Sequence, residues 1–210
     1  MTSAVMYSNK KTAHIAGLLY LVVVLTGIFS LAYVPSELIV WGNAAKTVAN
    51  VGASQTLFRL GIASSLVCYT FFILLPLALY QLLSSVNAVY AKLMVILSLV
   101  SVPISILNLS NKFAVLSLTS GSEYLKVFSN EQLQAQVLFY LNQYDDGILI
   151  LHVFWGLWLL PFGYLVFKSG FLPRVLGILL MLGCFGYLIN LFGNVLIDGY
   201  SKIGVDSYVQ

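Results

Sequence analysis

Charged side chains are scarce in this sequence: Asp, Glu, Lys and Arg together make up 8% of its 210 residues, against about 25% in an ordinary soluble domain. So few charges cannot cover a water-soluble surface, which excludes the freely soluble globular classes. Basic runs are missing as well. No Lys/Arg run is longer than Lys10-Lys11, so no basic stripe exists to follow a phosphate backbone and nucleic acid is not an expected partner. Cysteine is limited to Cys68 and Cys184, both inside apolar runs and without CxxC spacing. That excludes a disulfide framework or a thiolate metal centre and leaves two small packing residues.

What fills the chain instead is apolar: 60% of its residues are hydrophobic, gathered in five runs. These are 13–34, 57–83, 90–118, 147–167 and 173–197, each long enough to cross a bilayer core at about 1.5 Å per residue. The first run follows Lys10-Lys11 without an A-x-A cleavage signal and reads as a retained span. Another stretch, from Ser129 to Tyr144, is too polar to cross. Leu133, Val137, Tyr140, Leu141 and Tyr144 recur at helical spacing behind a Ser129/Gln132 capping box, which predicts an amphipathic interfacial helix. The expected fold class is therefore all-α: a polytopic membrane bundle of about five transmembrane helices plus an outer interfacial helix, in a single integral domain.

Placing the N-terminus in the cytoplasm puts all acids outside: Glu37, Glu123, Glu131, Asp145, Asp146, Asp198 and Asp206. Counting Lys and Arg alone ties, with Lys46, Arg59, Lys112, Lys126 and Lys202 also outside. The short inner loops 84–89 and 168–174 favour N-inside, because short loops weigh most in the orientation rule. An odd span count then places the C-terminus outside. Pro76, Pro103 and Pro161 lie within spans and predict kinks, while Ala13 with Gly17 and Gly61 with Ser65 predict close helix approach.

Four short motifs occur in order along the chain. Ala16-Gly-Leu-Leu19 lies in the first span, Phe58-Arg-Leu-Gly61 opens the second, and Lys168-Ser-Gly-Phe-Leu-Pro-Arg-Val-Leu-Gly177 is followed by Gly186-Tyr-Leu188. In order and spacing, from about Lys11 to Leu196, the chain resembles the bacterial multi-pass family catalogued as domain of unknown function 4386. The resemblance implies an inner (plasma) membrane protein of bacteria or archaea and brings no established activity with it. A His-Asp-Tyr-Gly type run often opens the fourth span in such proteins; here Tyr144-Asp-Asp-Gly147 stands in its place. In the loop motif, Gly170 is suited to a left-handed helix cap, Pro173 to the next first turn and Arg174 to anionic headgroups.

Polar side chains inside the spans are the candidates for function, since an ion at the bilayer centre costs about 2.5 to 3.5 kcal/mol. They are Arg59 on span two, Asn108 and Lys112 on span three, Asp145, Asp146 and His152 on span four, and Asn190, Asn194 and Asp198 on span five. Of these, Arg59, Lys112, Asp145, Asp146 and Asp198 lie near helix ends, where they reach headgroups at little cost, so His152 and the asparagines stand out. Spacings of four and seven align Asn108 with Lys112, Asp145 with His152, and Asn190 with Asn194 and Asp198 on single helix faces, which predicts a shared outward-facing polar cup. His14 belongs at the inner end of span one and His152 in the outer half of span four, so bis-histidine haem does not fit. Zinc would have to use His152 with Asp145 or Asp146 and Asp198, without HExxH-like spacing. Nucleophile elbow, phosphate loop and kinase signatures are absent, which leaves an enzyme as the weakest reading. No cofactor is indicated. Two readings remain open: a non-catalytic protein that binds a small polar or amphipathic ligand, for sensing or permeation, and a structural or accessory subunit. Membrane lipids are the expected partners in both, with other subunits or a second copy of the chain belonging to the latter.

Overall fold

The computed structural model describes residues 3–200, the side chains of 3–9 excepted. Lys202 and Asp206, which entered the orientation argument, lie outside the described residues. Every regular element is helical, with no strand among the described residues. Five helical stretches are long and apolar enough to cross a membrane: Lys10–Leu38, Gln55–Leu83, Ala88–Leu118, Asn130–Ser169 and Arg174–Leu196. This is an all-α, multi-pass helical membrane protein.

Two of the prolines, Pro35 and Pro161, lie where those stretches deviate from regular α-helix. The first stretch comprises α1 (Ser3–Ile28) and α2 (Val34–Leu38), joined by a π-helical turn over Phe29–Tyr33. Pro35 has no N–H for the Leu31 carbonyl one turn earlier, and a wider turn accommodates that loss. A short amphipathic helix that sequence reading missed, α3 (Ala44–Ala53), follows. Asn43 caps it by accepting from Lys46 N at 2.9 Å, and buried Thr47 ties it back by accepting from Val40 N at 2.9 Å. The next span, α4 (Gln55–Leu83), and α5 (Ala88–Asn108) absorb Pro76 and Pro103 without a break. One tight turn, Leu109 N to Ile106 O at 3.2 Å, separates α5 from α6 (Ser110–Leu118).

The segment predicted to form a separate interfacial helix is helical, but it continues into the fourth span as α7 (Asn130–Leu157). Its capping box forms as predicted, with Ser129 N donating to Gln132 Oε1 at 2.8 Å and Gln132 N to Ser129 Oγ at 3.3 Å. No proline or left-handed glycine interrupts the chain before Gly147, so the helix has no reason to stop. It breaks at Trp158, one turn before Pro161, and resumes as α8 (Leu159–Ser169). The stretch Asn130–Ser169 is about 60 Å long at helical rise, twice the hydrocarbon thickness. A large part of it therefore has to project beyond the hydrocarbon. Gly170 then caps α8 at φ 74°, and Pro173 is the N-cap of α9 (Arg174–Leu196), one position before the predicted first turn.

The chain divides into two compact units, residues 3–78 with 102–148 and residues 79–101 with 149–200. In the first, Val34, Leu38, Val51, Phe58, Ile62, Val115, Val137 and Leu141 form a buried apolar cluster. Gly61 lies against Val34 there, with 2.9 Å between the valine Cγ1 and the place a Cβ would take, whereas Gly17 has nothing within 4 Å. Of the two small-residue pairs, only Gly61 with Ser65 is thus a close approach. Cys68 is buried, its Sγ donating to Val23 O at 3.5 Å. In the second unit α8 and α9 meet at Gly163 and Gly177, where a Cβ on either would come within 2.7 Å of the other's carbonyl oxygen. Tyr90 stacks on Tyr164 at 4.4 Å, and Cys184 is a buried free thiol.

Candidate functional site

Lys112 is the most unusual side chain of the first unit. It sits near the start of α6 and is only 3% exposed. Its Nζ lies 4.0 Å from the centroid of the Tyr144 ring on α7, a cation–π contact. Such a contact attracts an ammonium but accepts none of its hydrogen bonds. No hydrogen bond is made by that ammonium among the described residues, and the ion pair that does form among them is the exposed Lys126–Glu123 pair. A buried cation without a carboxylate partner is costly unless something else meets its charge.

Tyr144 is held in place by its neighbours. Asn108, one turn before Lys112, donates from Nδ2 to the Tyr144 carbonyl at 2.8 Å, and Asn111 Nδ2 steadies the Asn108 oxygen at 3.0 Å. Gly147 makes this possible, because a Cβ at that position would overlap the Asn108 amide. Tyr144 is 4% exposed and its phenol stands beside that of Tyr69, and neither hydroxyl has a partner in good hydrogen-bond geometry among the described residues. The ring therefore acts as a fixed platform under the ammonium.

Above that platform lies a cavity of about 210 Å³. Lys112, Tyr144 and Asp145 supply its polar lining; Leu31, Pro35, Ile39, Leu141 and Ile148 supply its apolar wall, and Trp41 completes it. Trp41 is 50% exposed and Asp145 is also exposed, so these two mark the outer part while Lys112 is deep. The π-helical turn, α2 and the loop after it carry Leu31, Pro35 and Trp41 to the cavity. All of these residues belong to the first unit.

The remaining predicted residues fall elsewhere. Arg59 is exposed on α4 and outside the cavity lining, and Asp146 is exposed, accepting from Gln143 Nε2 at 3.4 Å. His152, Asn190, Asn194 and Asp198 belong to the second unit. There His152 is half-buried, edge-on to Tyr187 at 5.0 Å and 6.1 Å from Trp155, with the Asn190 amide beside it and a buried Nδ1 that has no hydrogen-bond partner among the described residues. Asn194 Nδ2 donates to the Asn190 carbonyl at 2.9 Å, while Asp198 is exposed beyond the end of α9.

The sequence pattern of the family described as Domain of unknown function (DUF4386) matches residues 15–207. The chain belongs to this family. No curated protein and no solved structure matches it. For this DUF4386 protein the chemistry must therefore be read from the residues themselves. Sequence spacing picked out Asn108, Lys112 and Asp145, which the first unit does bring together. It missed Tyr144, Gly147 and Trp41. The signal for Tyr144 was available in the apolar stripe Val137, Leu141, Tyr144, which continues down the face opposite α6. No local signal marked Trp41, whose place depends on how the chain folds back after α2.

Proposed function

We propose that this protein is a non-catalytic membrane protein that binds a small polar or amphipathic ligand in the Lys112 cavity. The observation that carries this reading is the buried ammonium of Lys112, held on the Tyr144 ring, facing a cavity and matched by no ion pair among the described residues. In a packed structural subunit the cation would be paired or replaced by an apolar residue, since keeping an unmatched charge inside costs stability. An ionisable residue buried in protein near the end of a span, and facing a cavity, is a candidate ligand or ion site. The cavity would open to the outer face of the plasma membrane, with the N-terminus cytoplasmic and the C-terminus outside, as the short inner loops argue.

Native mass spectrometry of gently extracted protein tests the reading. Wild type is expected to carry a small-molecule or lipid adduct that Lys112→Gln loses while remaining folded. Identical adduct patterns in the two proteins would remove the site and leave the accessory-subunit reading.

A further inference from the structure

We propose that the Lys112 cavity recognises a zwitterion: a small molecule or lipid headgroup carrying one anionic group and one ammonium. This rests on the reading of the cavity as a ligand site and adds the class of ligand. The lining holds two formal charges of opposite sign, Lys112 and Asp145. They feel one another through space but are not in ion-pair contact. Each is thus available to a charge of the ligand without first breaking a pair.

The two charges also differ in depth. Lys112 is 3% exposed, whereas Asp145 is exposed and Trp41 half-exposed. An anion alone would meet the ammonium but lie under the repulsive field of Asp145, and a cation alone would meet the carboxylate but lie under the repulsive field of Lys112. A zwitterion satisfies both at once, its anion deep on Lys112 and its ammonium at the rim, between the Asp145 carboxylate and the indole face of Trp41. The rest of the wall offers Leu31, Pro35, Ile39, Leu141, Ile148 and the ring of Tyr144, whose hydroxyl is buried, so the remainder of the ligand is mainly hydrocarbon. Size narrows the class further. The cavity volume is about 210 Å³, the scale of a small solute or headgroup. That suits a phosphoethanolamine-type headgroup or a short amino acid, and is too small for two acyl chains.

Tryptophan fluorescence in detergent micelles at low salt tests this, with the signal of Trp41 taken as the difference between wild type and Trp41→Phe. The titrants are phosphoethanolamine, methyl phosphate as its anionic half, ethanolamine as its cationic half, and short-chain phosphatidylethanolamine against phosphatidylglycerol. A zwitterion is expected to saturate at a Kd at least 10-fold lower than either half. Asp145→Asn should raise that Kd to the value for the anion alone, and Lys112→Gln should abolish saturation. Thermal unfolding checks both variants, and Lys112→Arg, which keeps the charge, should retain binding if the glutamine variant does not fold. Phosphatidylethanolamine binding at least 10-fold tighter than phosphoethanolamine identifies a lipid headgroup; the reverse identifies a free solute, and either supports the proposal. Methyl phosphate binding as tightly as the zwitterion, unchanged in Asp145→Asn, overturns it while the ligand site stands. The same division holds if no titrant binds yet mass spectrometry retains a Lys112-dependent adduct. If neither method shows Lys112-dependent binding, both readings fall.

Discussion

Gly147→Ala is the most informative single substitution, because its effect should depend on the residue at position 108. A Cβ at 147 overlaps the Asn108 amide, so Asn108 has to leave. Its hydrogen bond to the Tyr144 carbonyl and the one it accepts from Asn111 are then lost. Each is worth about 0.6 kcal/mol in a membrane protein, and overpacking adds about 1 to 3 kcal/mol. The better helix propensity of alanine returns up to about 1 kcal/mol. Gly147→Ala alone should therefore destabilise by about 1 to 3 kcal/mol. In an Asn108→Ala background the three atoms nearest the new methyl are gone, so the same change should be neutral or stabilise by up to about 1 kcal/mol. Reversible unfolding in mixed micelles gives the four stabilities of the cycle. The expected coupling is about 1 to 4 kcal/mol, and additivity within about 0.5 kcal/mol would refute the placement of Asn108 against Gly147.

Two further outcomes follow from side-chain packing and one from the proposed orientation. Tyr144→Phe should be neutral or stabilise by about 1 kcal/mol, since it removes a buried hydroxyl with no partner in good hydrogen-bond geometry among the described residues and keeps the ring under Lys112, whereas Tyr144→Leu should cost at least about 2 kcal/mol; a phenylalanine variant less stable than wild type in the same unfolding assay would contradict this. Gly163→Ala should destabilise by at least about 2 kcal/mol, because Gly177 O and Met181 N crowd the new methyl, while Gly186→Ala, with nothing within 4 Å, should be neutral or stabilising. A paired phosphatase and fluorescent reporter fused after Gln210 should show phosphatase activity without fluorescence, the opposite result reversing the proposed orientation.

The fold was legible because membrane solvent imposes a coarse rule: about 20 apolar residues in a row have to be helix. That rule found five spans and placed them in order. It could not say that Ser129 to Tyr144 is continuous with the fourth span, since an amphipathic stripe looks the same whether the helix lies flat or stands upright. Nor could it see α3, whose ten residues are too few to stand out as a span and whose stability comes from the Thr47 contact with Val40, a tertiary feature. For the site, helical spacing related Asn108 to Lys112 within one span, because i and i+4 share a face. Which spans would meet was not encoded in any spacing. Tyr144 stood out in the stripe of its own helix, but nothing in the spacing showed that this stripe meets Lys112, although Tyr144 links Asn108, Lys112 and the cavity.

Accessibility of position 112 tests the central claim most directly. In a background lacking Cys68 and Cys184, Lys112→Cys is compared with Val115→Cys, fully buried in the same helix, and Lys126→Cys, on the exposed surface. A small membrane-impermeant thiol reagent added from outside should label position 112 through the cavity, more slowly than position 126 but far faster than position 115. Labelling at 112 as slow as at 115 in folded protein would show a dry, packed interior and contradict the account of a ligand site.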